Sequence, residues 1–110
     1  MVAHSQKTTY EAAGVPDLAL AALAHPVRRD IVRRTLAADK TVSALATRYD
    51  MSFAAVRKHV VALERASLVS KTRRGREQIV RADPETLAAV RETLEHLESF
   101  GEDRLDRVGP

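Results

Sequence analysis

Eight lysines and arginines stand between Thr41 and Arg76, namely Arg48, Arg57, Lys58, Arg65, Lys71, Arg73, Arg74 and Arg76. Only Asp50 and Glu64 oppose them, a local charge of +6. Side chains of this type bind phosphate, because each cation laid against a nucleic-acid backbone releases condensed counterions. An arginine can also offer two donors to the edge of a guanine. Bond-making chemistry has no comparable set. Cys is absent, which removes disulfides, thiolate metal sites and cysteine nucleophiles. The sequence has no Gly-rich phosphate loop, no arguable Ser-His-Asp set and no paired carboxylates. The expectation is a binding protein and not an enzyme.

The net charge of +3 conceals a division along the 110 residues. Up to Arg76 the chain counts 14 Lys and Arg against 6 Asp and Glu; from Glu77 onward it counts 4 against 9. A basic body thus carries an acidic C-terminal segment, and the basic part suits a polyanion: nucleic acid, an acidic membrane or an acidic protein. A chain of 12.1 kDa suits one domain. With aromatics at 4% and no Trp, its core must be built mostly from Ala, Leu and Val. The N-terminus is polar without an apolar signal-like run, and no segment approaches the ~18 apolar residues of a membrane span. A cytoplasmic protein without membrane contact is the expectation.

Helices are needed to aim these cations, and their signals are local. Residues 1–14 lack periodicity and read as a flexible arm before a domain over 15–110. Pro16 suits the first turn of a helix with Leu18, Leu20, Ala21, Ala22 and Leu23 on its apolar face. Pro26 opens a second helix, where Val27, Ile31, Val32 and Leu36 recur at helical spacing. Ala38 to Lys40 reads as a turn, after which Thr41 caps a short helix with Val42, Leu45, Ala46 and Tyr49 inward. Ser52 caps the next, running to about Ala66, with Val56, Val60 and Leu63 as its buried row and Ala55 beside it. Two strand-like runs then flank Arg73-Arg74-Gly75-Arg76, a basic hairpin tip. Pro84 starts a last helix over about 84–108, whose Leu87, Val90, Leu94, Leu97, Gly101, Leu105 and Val108 form a stripe long enough to ask for a partner surface.

Two helices joined by a short turn, then a basic hairpin, is the order of a winged helix-turn-helix. The fold class expected is mainly α with a small β-hairpin wing. A helix fits the major groove and its N-terminal residues reach base edges, which makes Phe53, Ala54, Arg57 and Lys58 the candidates for base contact. Phe53 has a second option, packing on the preceding helix. Ser52, His59, Arg73, Arg74 and Arg76 are candidates for phosphate or minor-groove contact. His59 stands at the margin of the buried row, so packing is its alternative role. His96 has Glu92 and Glu95 nearby, but one imidazole is thin for a zinc site that usually takes four ligands. No metal and no cofactor are expected. Arg28-Arg29-Asp30, Arg91/Glu95 and Arg104/Asp106 read as solvated helix-face charges.

The stretches LAHPVRRDIV, TVSALATRYDMSFAAVRKHVVALERASLV and RRGREQIVRADPETL resemble the ArsR-type, or arsenic-repressor, family of bacterial winged helix-turn-helix regulators. The resemblance covers about residues 18–107 and is most specific over Met51 to Val69. It points to the branch without metal ligands, since neither Cys nor a second His accompanies Asp83 and His96. It implies a homodimer through the first and last helices, with Leu18, Leu87, Val90, Leu94, Leu97, Gly101 and Leu105 at the interface. Its partner would be double-stranded DNA bearing a partly palindromic operator, and its usual action repression; the inducing signal is not implied. Two alternatives stay open: a metal-responsive repressor of the same fold, and a winged-helix protein-interaction module.

The chain departs from the family pattern at four positions. His25 stands where Asp or Asn is usual before Pro26 and is a poorer cap. Arg57 replaces a usual Ser, adding a charge and a base-reading fork. Ser67 replaces a Gly where a left-handed residue is expected. Gly101 replaces a large aromatic, which opens a cavity, a kink or a looser dimer near Phe100.

Overall fold

A computed structural model of the chain describes residues 16–108, with side chains described for 16–101. The N-terminal arm read over residues 1–14 lies outside the described residues. Residues 16–22 are helical (α1), followed by α2 (Pro26–Ala37), β1 (Lys40–Thr41), α3 (Val42–Arg48), α4 (Phe53–Arg65), β2 (Val69–Arg74), β3 (Glu77–Ala82) and α5 (Pro84–Val108). The strands form one antiparallel sheet in the order β1-β3-β2. This is the winged helix-turn-helix expected, with one addition. Lys40 and Thr41, read as turn and cap, also pair with Val80 and Ile79 and tie the helix-turn-helix to the wing.

The helix caps form as their sequences require. Thr41 Oγ1 accepts a hydrogen bond from the Ala44 amide at 2.9 Å and Ser52 Oγ from that of Ala55 at 3.1 Å. His25 caps α2 with its backbone alone, so Pro26 at the first position sets that start. Asp83 caps α5, one carboxylate oxygen accepting from the Glu85 amide at 2.9 Å and the other from the Thr86 hydroxyl. Arg29 donates to the Leu23 carbonyl at 2.8 Å, closing the turn between α1 and α2.

Ile31, Val32, Val42, Leu45, Val56, Val60, Leu63, Leu68 and Val80 make the centre of the core, joined by Ala19 and Ala22 of α1 and Val90 of α5. α3 packs on α4, and α2 on α4 and β3. Ala46, Tyr49 and Leu87 are half-buried against this cluster. The α5 stripe is therefore divided within the single chain: Val90 is buried in the core, Leu87 is half-buried against it, and Leu94 and Leu97 stay exposed. Gly101 lies in continuous helix with open space around it, so it makes neither a break in α5 nor a cavity within the chain. Leu105 lies beyond the described side chains.

At the end of α4 the Leu68 amide donates to the Leu63 carbonyl at 2.9 Å and the Ser67 amide to that of Glu64 at 3.0 Å. This double bond pattern is a Schellman cap, and Ser67 takes the left-handed position with φ of 62°. Leu63 and Leu68, both fully buried, supply its apolar contact. A side chain here costs free energy that glycine avoids. Ser67→Gly should raise the unfolding free energy by about 0.5–1 kcal/mol in urea titration; an unchanged or lower midpoint would contradict the assignment.

Asp30, read as a solvated charge, is instead a joint of the fold. Half-buried Asp30 accepts hydrogen bonds from Tyr49 Oη at 2.6 Å, Arg34 Nε at 2.8 Å and Arg33. Tyr49 and Arg34 hold this carboxyl far below the usual carboxylate range, against a smaller opposing effect of burial. Burial and the Asp30 carboxylate in turn push the Tyr49 phenol up to about 12. Arg81 grips Asp39 through two bonds of 2.9 and 2.7 Å, fixing β3 to the loop after α2. Arg91 and Glu95 form the exposed i, i+4 pair that was expected, at 3.1 Å, while Arg104 and Asp106 lie outside the described side chains.

Candidate nucleic-acid interface

Ser52 and the Schellman cap fix both ends of α4, and the row Val56, Val60 and Leu63 fixes its rotation. What is left outward is Phe53, Ala54, Arg57 and Lys58, all exposed. Phe53 is 51% exposed and borders the same groove as Val42 and Ser43 of α3, so half of its surface is open to an external partner. Ser52 sits at the same end, its oxygen occupied by the cap but its hydroxyl hydrogen free to donate.

The wing is a two-residue hairpin in which Arg74 pairs with Glu77 and Gly75 has φ of 64°. Glycine at the first of two central positions is the demand of a type II′ turn. The strand alternation then separates the three tip arginines. Arg73 and Arg76 join Phe53 and Arg57 around one open groove, whose other walls are Val42, Ser43, Glu77 and Gln78. Arg74 lies on the opposite side of the hairpin with Ser70, Thr72, Ile79, Arg81 and Asp39. Two of the three tip arginines thus share the groove with α4, and Arg74 does not. The cause is the period of two in β2, where Lys71 and Arg73 share one face with buried Val69.

Lys71 is also withdrawn from the free charge, since its ammonium lies 3.4 Å from Glu64 and only 17% of its side chain is exposed. Ser43 and Gln78 line the groove without having been anticipated. Their signals were present: Ser43 follows the Thr41 cap by two residues, and Gln78 faces Arg73 across the hairpin.

His59 is half-buried and held against α2. Its Nδ1 accepts a hydrogen bond from Arg28 Nε at 3.1 Å, and its ring lies 5.8 Å from that of His25. On the helical wheel it flanks the buried row on the side of Leu63, and its hydrogen bond with Arg28 turns it toward the start of α2. Desolvation first, then the charges of Arg28 and His25, lower its pKa below the ordinary 6.5. A folded pKa lower than the unfolded one gives stability that is complete above ~6.5 and is lost as pH falls through the folded value. Thermal unfolding should therefore show a falling midpoint from pH 7 to 5, flattened in His59→Gln; equal slopes in both proteins would contradict this joint.

Among the described residues, no three His, Cys, Asp or Glu side chains are grouped to hold a metal ion. His96 meets Phe100 edge-on at 4.8 Å between centroids. No described helix is long and apolar enough to cross a membrane.

Comparison with known proteins agrees with this architecture. A helix-turn-helix domain family model matches residues 23–72. An ArsR-like transcriptional regulator from Rhodococcus sp. RHA1 is 32% identical, with 89% of this chain and 92% of that one covered at a TM-score of 0.75. The crystal structure of a possible transcriptional regulator for arsenical resistance is 35% identical, covering 81% and 90% at a TM-score of 0.67. A homodimeric winged helix-turn-helix DNA-binding domain from Mycobacterium bovis is similar in fold alone, at 21% identity, 77% and 80% coverage and a TM-score of 0.64. No curated protein matched significantly. With a helix-turn-helix whose second helix is capped and cationic, a basic wing beside it, and relatives of this identity over nearly their full length, the chain belongs to the ArsR family of winged helix-turn-helix, DNA-binding transcriptional regulators.

Proposed function

We propose that the chain acts as a homodimeric repressor that reads a partly palindromic operator and needs no bound metal to do so. The observation that carries this reading is the shared groove of Phe53, Arg57, Arg73 and Arg76. It lets one DNA segment meet α4 in the major groove while two wing arginines contact the adjacent backbone or minor groove. Phe53, Ala54, Arg57 and Lys58 read bases; Ser52, Arg73 and Arg76 position the duplex. Arg74 acts from the far side of the hairpin, and His59 acts indirectly by holding α4 against α2.

Exposed apolar side chains support the dimer. Leu97 and Phe100 are each 61% exposed, and Leu94 and Leu18 are also open to solvent. An apolar stripe of this kind on a small chain favours a second copy, and the Mycobacterium bovis domain of the same fold is homodimeric. Two copies would set their recognition helices about one helical turn, ~34 Å, apart. Metal independence is supported by the donor set: Cys is absent from the sequence, and Asp83, one half of a conceivable pair with His96, is engaged in capping α5.

Sedimentation equilibrium tests the assembly. The wild type should have twice the 12.1 kDa chain mass. Leu97→Glu should shift it toward monomer and weaken operator binding by at least tenfold, about 1.4 kcal/mol. A monomeric wild type that binds a full operator would contradict the proposal. Zinc added at equimolar concentration should leave operator affinity unchanged.

A further inference from the structure

The outward face of α4 does not end at Lys58. Ala54, Arg57, Lys58, Val61, Ala62 and Arg65 line a second open groove along the same helix. Val61 is its one large apolar side chain, β-branched, set among three cations and two alanines. It is half-buried, yet it stands outside the hydrophobic core and outside the partly buried side chains that pack against that core. Helix propensity does not account for it, because a β-branched residue is a poorer helix former than Ala or Lys. Nor does salt bridging, since it carries no charge.

Its position suits a base edge. Val61 follows Arg57 by four residues and Ala54 by seven, so the three share one helical face. It lies about 6 Å further along the axis than Arg57, nearly two base-pair steps of 3.4 Å each. In the major groove one base offers an apolar group, the C5-methyl of thymine. We infer that Val61 is a specificity residue that packs against a thymine methyl one or two base pairs from the pair read by Arg57. This rests on the reading of α4 as the helix that enters the major groove.

Deoxyuridine replaces thymidine without that methyl and leaves every hydrogen bond in place, so the duplex supplies the test. The preferred operator is first selected from a random duplex pool. Each thymine of one half-site and its symmetry mate is then changed to deoxyuridine, and binding is measured for wild type and Val61→Ala. The expected result is one position at which wild type weakens about fourfold per methyl buried, while Val61→Ala binds both duplexes alike. A wild type indifferent to every such change, or a Val61→Ala that keeps the fourfold sensitivity, overturns the inference and leaves the operator reading standing. Absence of any selected operator overturns both. Since the wild-type comparison changes only the DNA, it does not depend on how the variant folds.

Discussion

Arg57→Ala lowers affinity for the preferred operator by about 1–3 kcal/mol and relaxes the preference at one base pair in each half-site. The expectation follows from four features of Arg57. It is exposed, it stands on the first turns of a helix capped by Ser52, and its direction is fixed by the neighbouring buried Val56. It also shares its groove with Arg73 and Arg76, so a phosphate held by the wing would bring a base edge toward the same guanidinium. Loss of a base contact changes sequence preference, whereas loss of a phosphate contact weakens all duplexes alike and lowers the salt slope by about one. Binding of Arg57→Ala to the operator and to single-base variants separates the two. Equal weakening on every sequence would reduce Arg57 to a backbone contact.

Asp30→Ala should destabilise the fold by about 2–3 kcal/mol. Three donors converge on this one carboxylate, from Tyr49, Arg34 and Arg33, and two of these groups are half-buried or nearly so. Removing the acceptor leaves a Tyr49 hydroxyl and an Arg34 cation without their partner, a cost larger than the net value of the bonds themselves. The pH dependence has a definite sign. Because the folded carboxyl titrates far below its ordinary 3.8, its contribution is complete above that value and is lost as pH falls beneath it. Denaturant midpoints at pH 7 should fall in Asp30→Ala, and the wild type should lose this advantage over the variant on acidification below about pH 4. A constant difference between the two proteins down to pH 2 would show that the carboxylate charge contributes nothing. The His59 window is distinct, since it opens higher, as pH falls below the ordinary imidazole value of 6.5.

What could be read from the sequence was local. The caps at Thr41 and Ser52, the buried row Val56, Val60 and Leu63 and the full extent of α5 all depend on residues within a turn or two of each other, while the left-handed Ser67 was expected from the family resemblance. β1 was not legible, since two residues carry no periodicity and are paired with Val80 and Ile79, 40 and 38 positions away. Long separation also hid the joints, with Arg28 and His59 31 residues apart and Asp39 and Arg81 42 apart. The division of the α5 stripe depends on where the rest of the chain ends, so that Val90 is covered and Leu97 is not. Arg74 is a different case: given the two-residue turn, alternation from buried Val69 would have assigned it to the far face.

The central claim is that α4 and the wing read a specific DNA sequence as a pair of half-sites. Selection from a random duplex pool by the wild-type protein, at near-physiological salt, tests it most directly. A dimer that reads DNA in this way selects a partly palindromic consensus with half-site centres about one helical turn apart. No consensus, with binding that fades uniformly as salt rises, would mean an unspecific polyanion surface and would contradict it.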